Sequence, residues 1–339
     1  MTAGDHRARQ LQQWLVRQPG QFDDLHLLRA DASFRRYFRA CRDGTPVVIM
    51  DAPPPREATE PFVRIAGLLQ QLELRPPRIL EHDPQAGFVL LEDLGDRTFT
   101  RALAEGMPEE PLYRRAIDTL IRLHRNWPRH AAGAPPLPAY DRTRLMDEVR
   151  LFPDWYWPEF QDGPMPGATR QAFEEAWRQT LEALPPLPDT LVLRDFHVDN
   201  LMLPPEGGDD CAVLDFQDAV LGSPAYDVVS LLEDARRDVS PATAQASLAH
   251  YLEALDWPRD TFLAHYRVLG VQRTVKILGI FVRLARRDAK PRYLEHLPRL
   301  HRLLDAGLAH PELEPVAHWF ARHLPQPAAA RGERTPCAP

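Results

Sequence analysis

The apolar periodicity of this chain changes at about residue 94, and that change limits the possible fold more than any other feature. Before it, apolar runs at 25–29 (LHLLR), 36–40 (RYFRA), 46–50 (PVVIM), 78–82 and 87–92 (GFVLLE) read as five short strands. Asp31-Ala32-Ser33 and Arg42-Asp43-Gly44 supply turns between the first three, and Pro53-Pro54-Pro55 breaks the sheet. A helix at about 5–18 precedes the strands. A second, at about 59–73, places Phe62, Ile65, Ala66, Leu68, Leu69 and Leu72 on one face. Beyond residue 94 the period is helical, at about 111–126, 141–152, 168–184, 241–255, 259–288 and 312–323. Ser240-Pro241 has the capping hydroxyl and first-turn proline of a helix start. Only 190–194 (TLVLR), 200–203 and 211–215 (CAVLD) read as strands there, and they are clustered. The expected class is α+β, with a small antiparallel-sheet domain over 1–93 and a larger, mainly helical one over 94–324. The proline- and alanine-rich end, 325–339, has no core-forming pattern and is expected to be disordered.

Composition excludes several classes. A formal net charge of −7 does not suit a nucleic-acid binder. No stretch approaches the ~18 apolar residues of a membrane span, and the start MTAGDHRARQLQQWL lacks the apolar core of a secretory signal. Cys41, Cys211 and Cys337 match no metal-ligand spacing and read as reduced thiols. A soluble, cytoplasmic protein with small-molecule partners is expected; the sequence leaves its oligomeric state open. Of 41 lysines and arginines only Lys276 and Lys290 are lysines, so before residue 276 such a cation must be an arginine.

The chemistry lies in VLRDFHVDNLML, from Val192, followed by DFQD from Asp215. Asp195-x4-Asn200, with Asp215 ending an apolar run, is the arrangement that phosphoryl transfer needs. A carboxylate must meet the acceptor hydroxyl, while an amide oxygen and a second carboxylate hold Mg²⁺ on the nucleotide phosphates. Three oxygen-bearing side chains suffice because the reaction asks for positioning and charge stabilisation. Alone, D-x4-N recurs by chance. Strand-like runs on both sides, the second aspartate at hairpin distance and the preceding five-strand domain give it weight. His197 and Asp199 could be imagined as ligands of another metal, but a lone histidine beside a loop aspartate reads as a hydrogen-bonded structural group.

These residues resemble the catalytic loop, H-x-D-x4-N, of the aminoglycoside phosphotransferase and choline kinase superfamily, and the resemblance runs to about residue 323. It implies a two-lobed, protein-kinase-like fold that uses ATP and Mg²⁺. Asp195 would be the catalytic base and Asn200 and Asp215 the metal ligands. Asp227, in SPAYDVVSLL, would cap and brace the loop. ADASFRRYFRA (30–40), VVIMDAPP (47–54) and FVLLEDLGD (88–96) are similar, more narrowly, to bacterial anomeric kinases of N-acetylmuramic acid and N-acetylglucosamine, which serve cell-wall recycling. That likeness implies an amino-sugar acceptor.

The chain departs from the superfamily pattern at three places. Leu193 stands where the histidine is usual. The nucleotide-covering loop, Ala30–Arg36, has no glycine, so the Ser33 hydroxyl would assist the backbone. Met50 occupies the place of the phosphate-binding lysine, and Arg35, Arg36 and Arg39 are the candidates to replace its charge. By the same likeness the Glu92 carbonyl and the Leu94 N–H would meet the adenine. The acceptor pocket would draw on Glu148, Trp155, Tyr156 and Trp157 in EVRLFPDWYWPEF, although such an aromatic stripe is more often core than ligand contact. His197, Asp218 and Arg273 are further candidates, the last facing a lactyl carboxylate. Two rival readings stay open: a kinase of another small acceptor such as an aminoglycoside, and a non-catalytic nucleotide-binding module.

Overall fold

A computed structural model describes residues 3–30, 35–208 and 210–324; Ser33 and the 325–339 tail lie outside them. The chain runs α1 (Ala3–Val16), β1 (Phe22–Ala30), β2 (Arg36–Arg42), β3 (Thr45–Asp51), α2 (Glu60–Gln71), β4 (Ile79–Asp83) and β5 (Phe88–Glu92). Then come α3 (Phe99–Ala104), α4 (Glu109–His130), α5 (Arg142–Val149), a π-helical turn (Phe152–Tyr156), α6 (Trp157–Phe160) and α7 (Gly167–Glu182). Four short strands follow: β6 (Thr190–Val192), β7 (Leu201–Met202), β8 (Ala212–Val213) and β9 (Val220–Gly222). The last helices are α8 (Ala225–Leu232), α9 (Pro241–Ala254), α10 (Arg259–Arg286), α11 (Leu297–Leu308) and α12 (Glu314–His323). Every expected strand and helix is present within a few residues of its expected bounds; α3, α6, α8, α11 and β9 are additional to those ranges.

Two compact units are formed. The first comprises Met1–Pro108, Pro128–Pro135 and Val198–Asp218. Its sheet is antiparallel in the order β1-β2-β3-β5-β4. Alternation along β3 sends Val47 and Ile49 to one face, where they join Ala40, Phe88 and Leu90 under Leu11, Trp14 and Leu15 of α1. Burying each large apolar side chain there stabilises by about 1.5–3 kcal/mol. α2 presents Phe62, Ile65, Ala66, Leu68 and Leu69 as its buried stripe.

This unit extends past residue 93, where the sheet ends, for a physical reason. The β7–β8 hairpin adds to it through Leu203 N–H to the Arg97 carbonyl and Val213 N–H to the Arg75 carbonyl, both 2.9 Å. Leu94, Met202 and Ala212, with Leu214 against them, make a small apolar core beneath the hairpin.

The second unit comprises Glu109–Trp127, Pro136–His197 and Ala219–Pro339. Its centre is the 28-residue α10, which packs on α5, α8, α11 and the π-helical turn. Gly279 permits the last approach, since a Cβ there would lie 2.3 Å from the Leu151 carbonyl oxygen. Ser240 caps α9 as expected, its hydroxyl accepting from Thr243 N–H at 3.2 Å. β6 and β9 pair antiparallel, and the chain turns out of β6 at Leu193.

Candidate active site

In the first unit, Leu201 pairs with Val213 and Met202 with Ala212, and Leu214 N–H donates to the Asn200 carbonyl at 2.8 Å. That register brings Asn200 and Asp215 to the same end of the hairpin. Asp215 has φ +56°, a left-handed conformation that costs an L-residue roughly 1–2 kcal/mol and that aspartate tolerates better than most. Phe216 anchors the turn, fully buried against Phe62 of α2 with ring centroids 4.8 Å apart. Asp215 is left exposed, with Gln217 Nε2 donating to its Oδ1 at 2.7 Å. An amide oxygen and a carboxylate at one hairpin end are the hard donors that a divalent cation such as Mg²⁺ takes. Asp218 sits on this same turn, its Oδ2 accepting from Gln217 at 3.3 Å. Asp199 accepts a hydrogen bond from the Thr100 hydroxyl.

Asp195 belongs to the second unit, three residues beyond β6. Its turn is held from α8: Leu193 N–H donates to Asp227 Oδ2 at 2.7 Å and Arg194 N–H to Oδ1 at 2.9 Å. The Ser230 hydroxyl donates to the Arg194 carbonyl at 3.3 Å. Arg194 has φ +70°, and Asp195 N–H closes the turn onto the Leu193 carbonyl at 2.9 Å. Burial pushes the Asp227 carboxyl up to about 7, against the pull of those two N–H groups. Asp227 therefore braces the loop but does not cap α8, whose cap residue is Pro224. Leu193, buried where a histidine is usual, serves through its backbone. Asp195 emerges exposed between buried neighbours on either side of the turn, Leu193 and Phe196.

The candidate arginines Arg35, Arg36 and Arg39 are each ion-paired. Arg36 and Arg7 grip Asp51, fully buried, at 2.5 and 2.6 Å. Strand alternation puts that cluster on the α1 face, opposite Met50, which is itself buried beside Tyr37. Arg39 shares the Met50 face but spans Asp93 and Asp96 at 2.6 and 2.9 Å. Arg35 pairs with Glu57, just ahead of α2, at 3.2 Å. Glu92 turns its carboxylate to Arg75 and to the Arg78 N–H, and Leu94 packs into the small core under the hairpin.

The acceptor candidates separate by environment. Tyr156 and Trp157 turn into the core. Tyr156 stacks on Phe152 at 4.7 Å and hydrogen-bonds His301 at 2.6 Å, while Trp157 packs on Trp319. The cause is the π-helical turn, in which Pro153 offers no N–H to an α ladder and the aromatic row rotates inward. Trp155 alone of the three is half-buried. Glu148 is half-buried among Arg194, Lys276, Tyr140 and Gln272. His197 is buried, its pKa pushed well below the usual value by desolvation and then by Arg236 and Arg273. Arg273 is buried too and reaches the Glu233 carbonyl at 3.5 Å.

A family model described as the phosphotransferase enzyme family matches residues 24–263. The chain belongs to that phosphotransferase family. Curated relatives at 36–39% identity include a Pseudomonas aeruginosa protein named N-acetylmuramate/N-acetylglucosamine kinase. It is 39% identical over 310 residues, covering 89% of this chain and 88% of its own. A Caulobacter vibrioides protein of the same name is 37% identical over 337 residues, covering 88% and 91%. Among solved structures, a choline/ethanolamine kinase family protein from Mesorhizobium loti superposes with a TM-score of 0.62 at 15% identity, over 95% of this chain and 100% of that one. The fold is thus the expected protein-kinase-like one, and the phosphotransferase is an enzyme. Among its described residues no helix is long and apolar enough to cross a membrane. Three residues of this phosphotransferase escaped the sequence reading: Arg194, Tyr140 and Lys276. Lysine is rare in the chain, but that rarity marks Lys276 and Lys290 alike.

Proposed function

We propose that this phosphotransferase moves the γ-phosphoryl group of ATP to the C1 hydroxyl of N-acetylmuramic acid and N-acetylglucosamine, a step of cell-wall sugar recycling. The observation that carries the substrate is the shared name of the four curated relatives, which match this chain along nearly its whole length. Asp195 takes or orients the hydroxyl proton. The C1 oxygen bonds to the γ-phosphorus as the bond to the β–γ bridging oxygen breaks, releasing ADP. Asn200 and Asp215 would hold Mg²⁺, which supplies charge neutralisation on the phosphates.

For the missing lysine, the pairings favour Arg35. A kinase lysine is held by a glutamate of the helix in this position, and Glu57 at the approach to α2 offers Arg35 the same support. Arg36 is committed to Asp51 on the other face. Charge-assisted hydrogen bonds contribute about 1.5–3 kcal/mol, so Arg35→Ala should raise the ATP KM by roughly 10–100-fold. Arg36→Ala should lower Tm and leave that KM alone. The reverse pattern would transfer the phosphate role to Arg36.

The regiochemistry has its own test. Only the closed ring presents a C1 hemiacetal, whose hydroxyl is more acidic than the other sugar alcohols. Both amino sugars should be phosphorylated, and their borohydride-reduced alditols should not. The product phosphorus should couple to the anomeric proton in ³¹P NMR, and mild acid should release phosphate quickly. Turnover of an alditol, or an acid-stable 6-phosphate, would refute the C1 assignment. An aminoglycoside acceptor is disfavoured because a polycation needs uncommitted carboxylates, and Glu148 of the candidate pocket is fully engaged. Retention of Asp195, Asn200 and Asp215 together disfavours a non-catalytic module.

A further inference from the structure

Glu148 occupies an unusual position for a side chain first considered as a sugar ligand. An ionised carboxylate offers about four lone-pair sites, and here all four are taken. Oε1 accepts from Arg194 Nη2 at 2.7 Å and from Lys276 Nζ at 2.9 Å. Oε2 accepts from the Tyr140 hydroxyl at 2.5 Å and from Gln272 Nε2 at 3.3 Å. No capacity remains for an acceptor hydroxyl. The cluster is largely sequestered, with Glu148 and Lys276 side chains each 12% exposed and Arg194 23%. Lys276 also reaches the Tyr226 hydroxyl at 3.3 Å, and Arg194 lies over the Tyr140 ring at 5.5 Å.

The arginine of this cluster, Arg194, immediately precedes Asp195. Its backbone is already held in the left-handed region by Asp227 and Ser230. Its side chain is fixed separately by Glu148 on α5, and Glu148 is fixed in turn by Lys276 on α10. Two helices thereby determine where one residue of the catalytic turn can point. We propose that Glu148 and Lys276 are positioning residues: they form a charge brace that locks Arg194 and, through it, aims the Asp195 carboxylate. The inference rests on Asp195 being the base. Lys276 has a specific part in it. Without its ammonium the carboxylate loses one of its two cationic partners and Arg194 loses its fixed counter-anion. Burial alone would raise the Glu148 carboxyl, whereas Lys276, Tyr140 and Arg194 together hold it below its usual range.

The test uses the full chain with Mg-ATP and whichever sugar the wild type phosphorylates. Lys276→Met should lower kcat by about 10²-fold, the scale of a misplaced reacting group, with sugar and nucleotide KM nearly unchanged. Lys276→Arg should recover most of the loss. Arg194→Lys, which keeps the charge but not the planar fork, should also lower kcat without moving KM, and it keeps the question answerable if Lys276→Met folds poorly. Wild-type kcat in both Lys276→Met and Arg194→Lys overturns the brace. So does a loss confined to sugar KM, which would make Lys276 a substrate ligand, or a loss that merely follows the folded fraction by Tm. Asp195→Asn run in parallel separates the two failures: full activity there removes the base itself, whereas a dead Asp195→Asn beside active brace variants removes only the brace.

Discussion

Asp195→Asn is expected to lose turnover by about 10²–10⁴-fold, the usual contribution of a general base, while binding nucleotide as the wild type does. Asparagine keeps the shape and the turn but cannot take the acceptor proton. The turn should survive the change because its bracing bonds come from Asp227 and Ser230 to the backbone of residues 193 and 194, not to the Asp195 side chain. Steady-state kinetics with a titration of unreactive nucleotide analogue reads both quantities. Turnover within a few-fold of wild type would take Asp195 out of the chemistry, whatever the relatives do.

Asp215→Ala should cost at least as much, and in a different way. It removes the carboxylate from the donor pair proposed for Mg²⁺, so Mg²⁺-dependent nucleotide affinity and turnover should fall together. Backbone conformation makes the choice of substitution matter. At φ +56° alanine is strained, so Asp215→Asn, which tolerates that region, is the companion variant. Both should raise the Mg²⁺ concentration needed for half-maximal nucleotide binding. If calorimetry finds Mg-nucleotide binding intact in both, Asp215 is not a metal ligand. Phe216, packed on Phe62, gives a stability control: Phe216→Leu should lower Tm with a smaller effect on Mg²⁺ dependence.

The parts of this molecule that were legible in advance are those whose partners are close in the chain or whose period is regular. Strands β1 to β5 and the long helices followed from alternation and from helical stripes. Asn200 and Asp215 flank a two-stranded hairpin, so their spacing already implied that they end up together. The additional strand β9 was not legible, because three residues give no period and its partner β6 lies some thirty residues earlier. The orientation of the aromatic row 155–157 was not legible for a related reason. Consecutive residues point to different sides of a helix, and a proline and a π-helical turn decide which of them turn inward.

By itself the sequence determined the α+β class, the position of the phosphotransferase motif and the absence of a lysine where one is usual. Those follow from periodicity, spacing and residue identity, which are local properties. Tertiary structure decided which charges meet: Asp51 with Arg7 and Arg36, Arg35 with Glu57, and Glu148 with both Arg194 and Lys276. A buried carboxylate must find cations to offset its lost hydration, but which cations it finds depends on how distant segments pack. Lys276 lies 128 residues from Glu148, and no local pattern links the two until α5 and α10 are in contact.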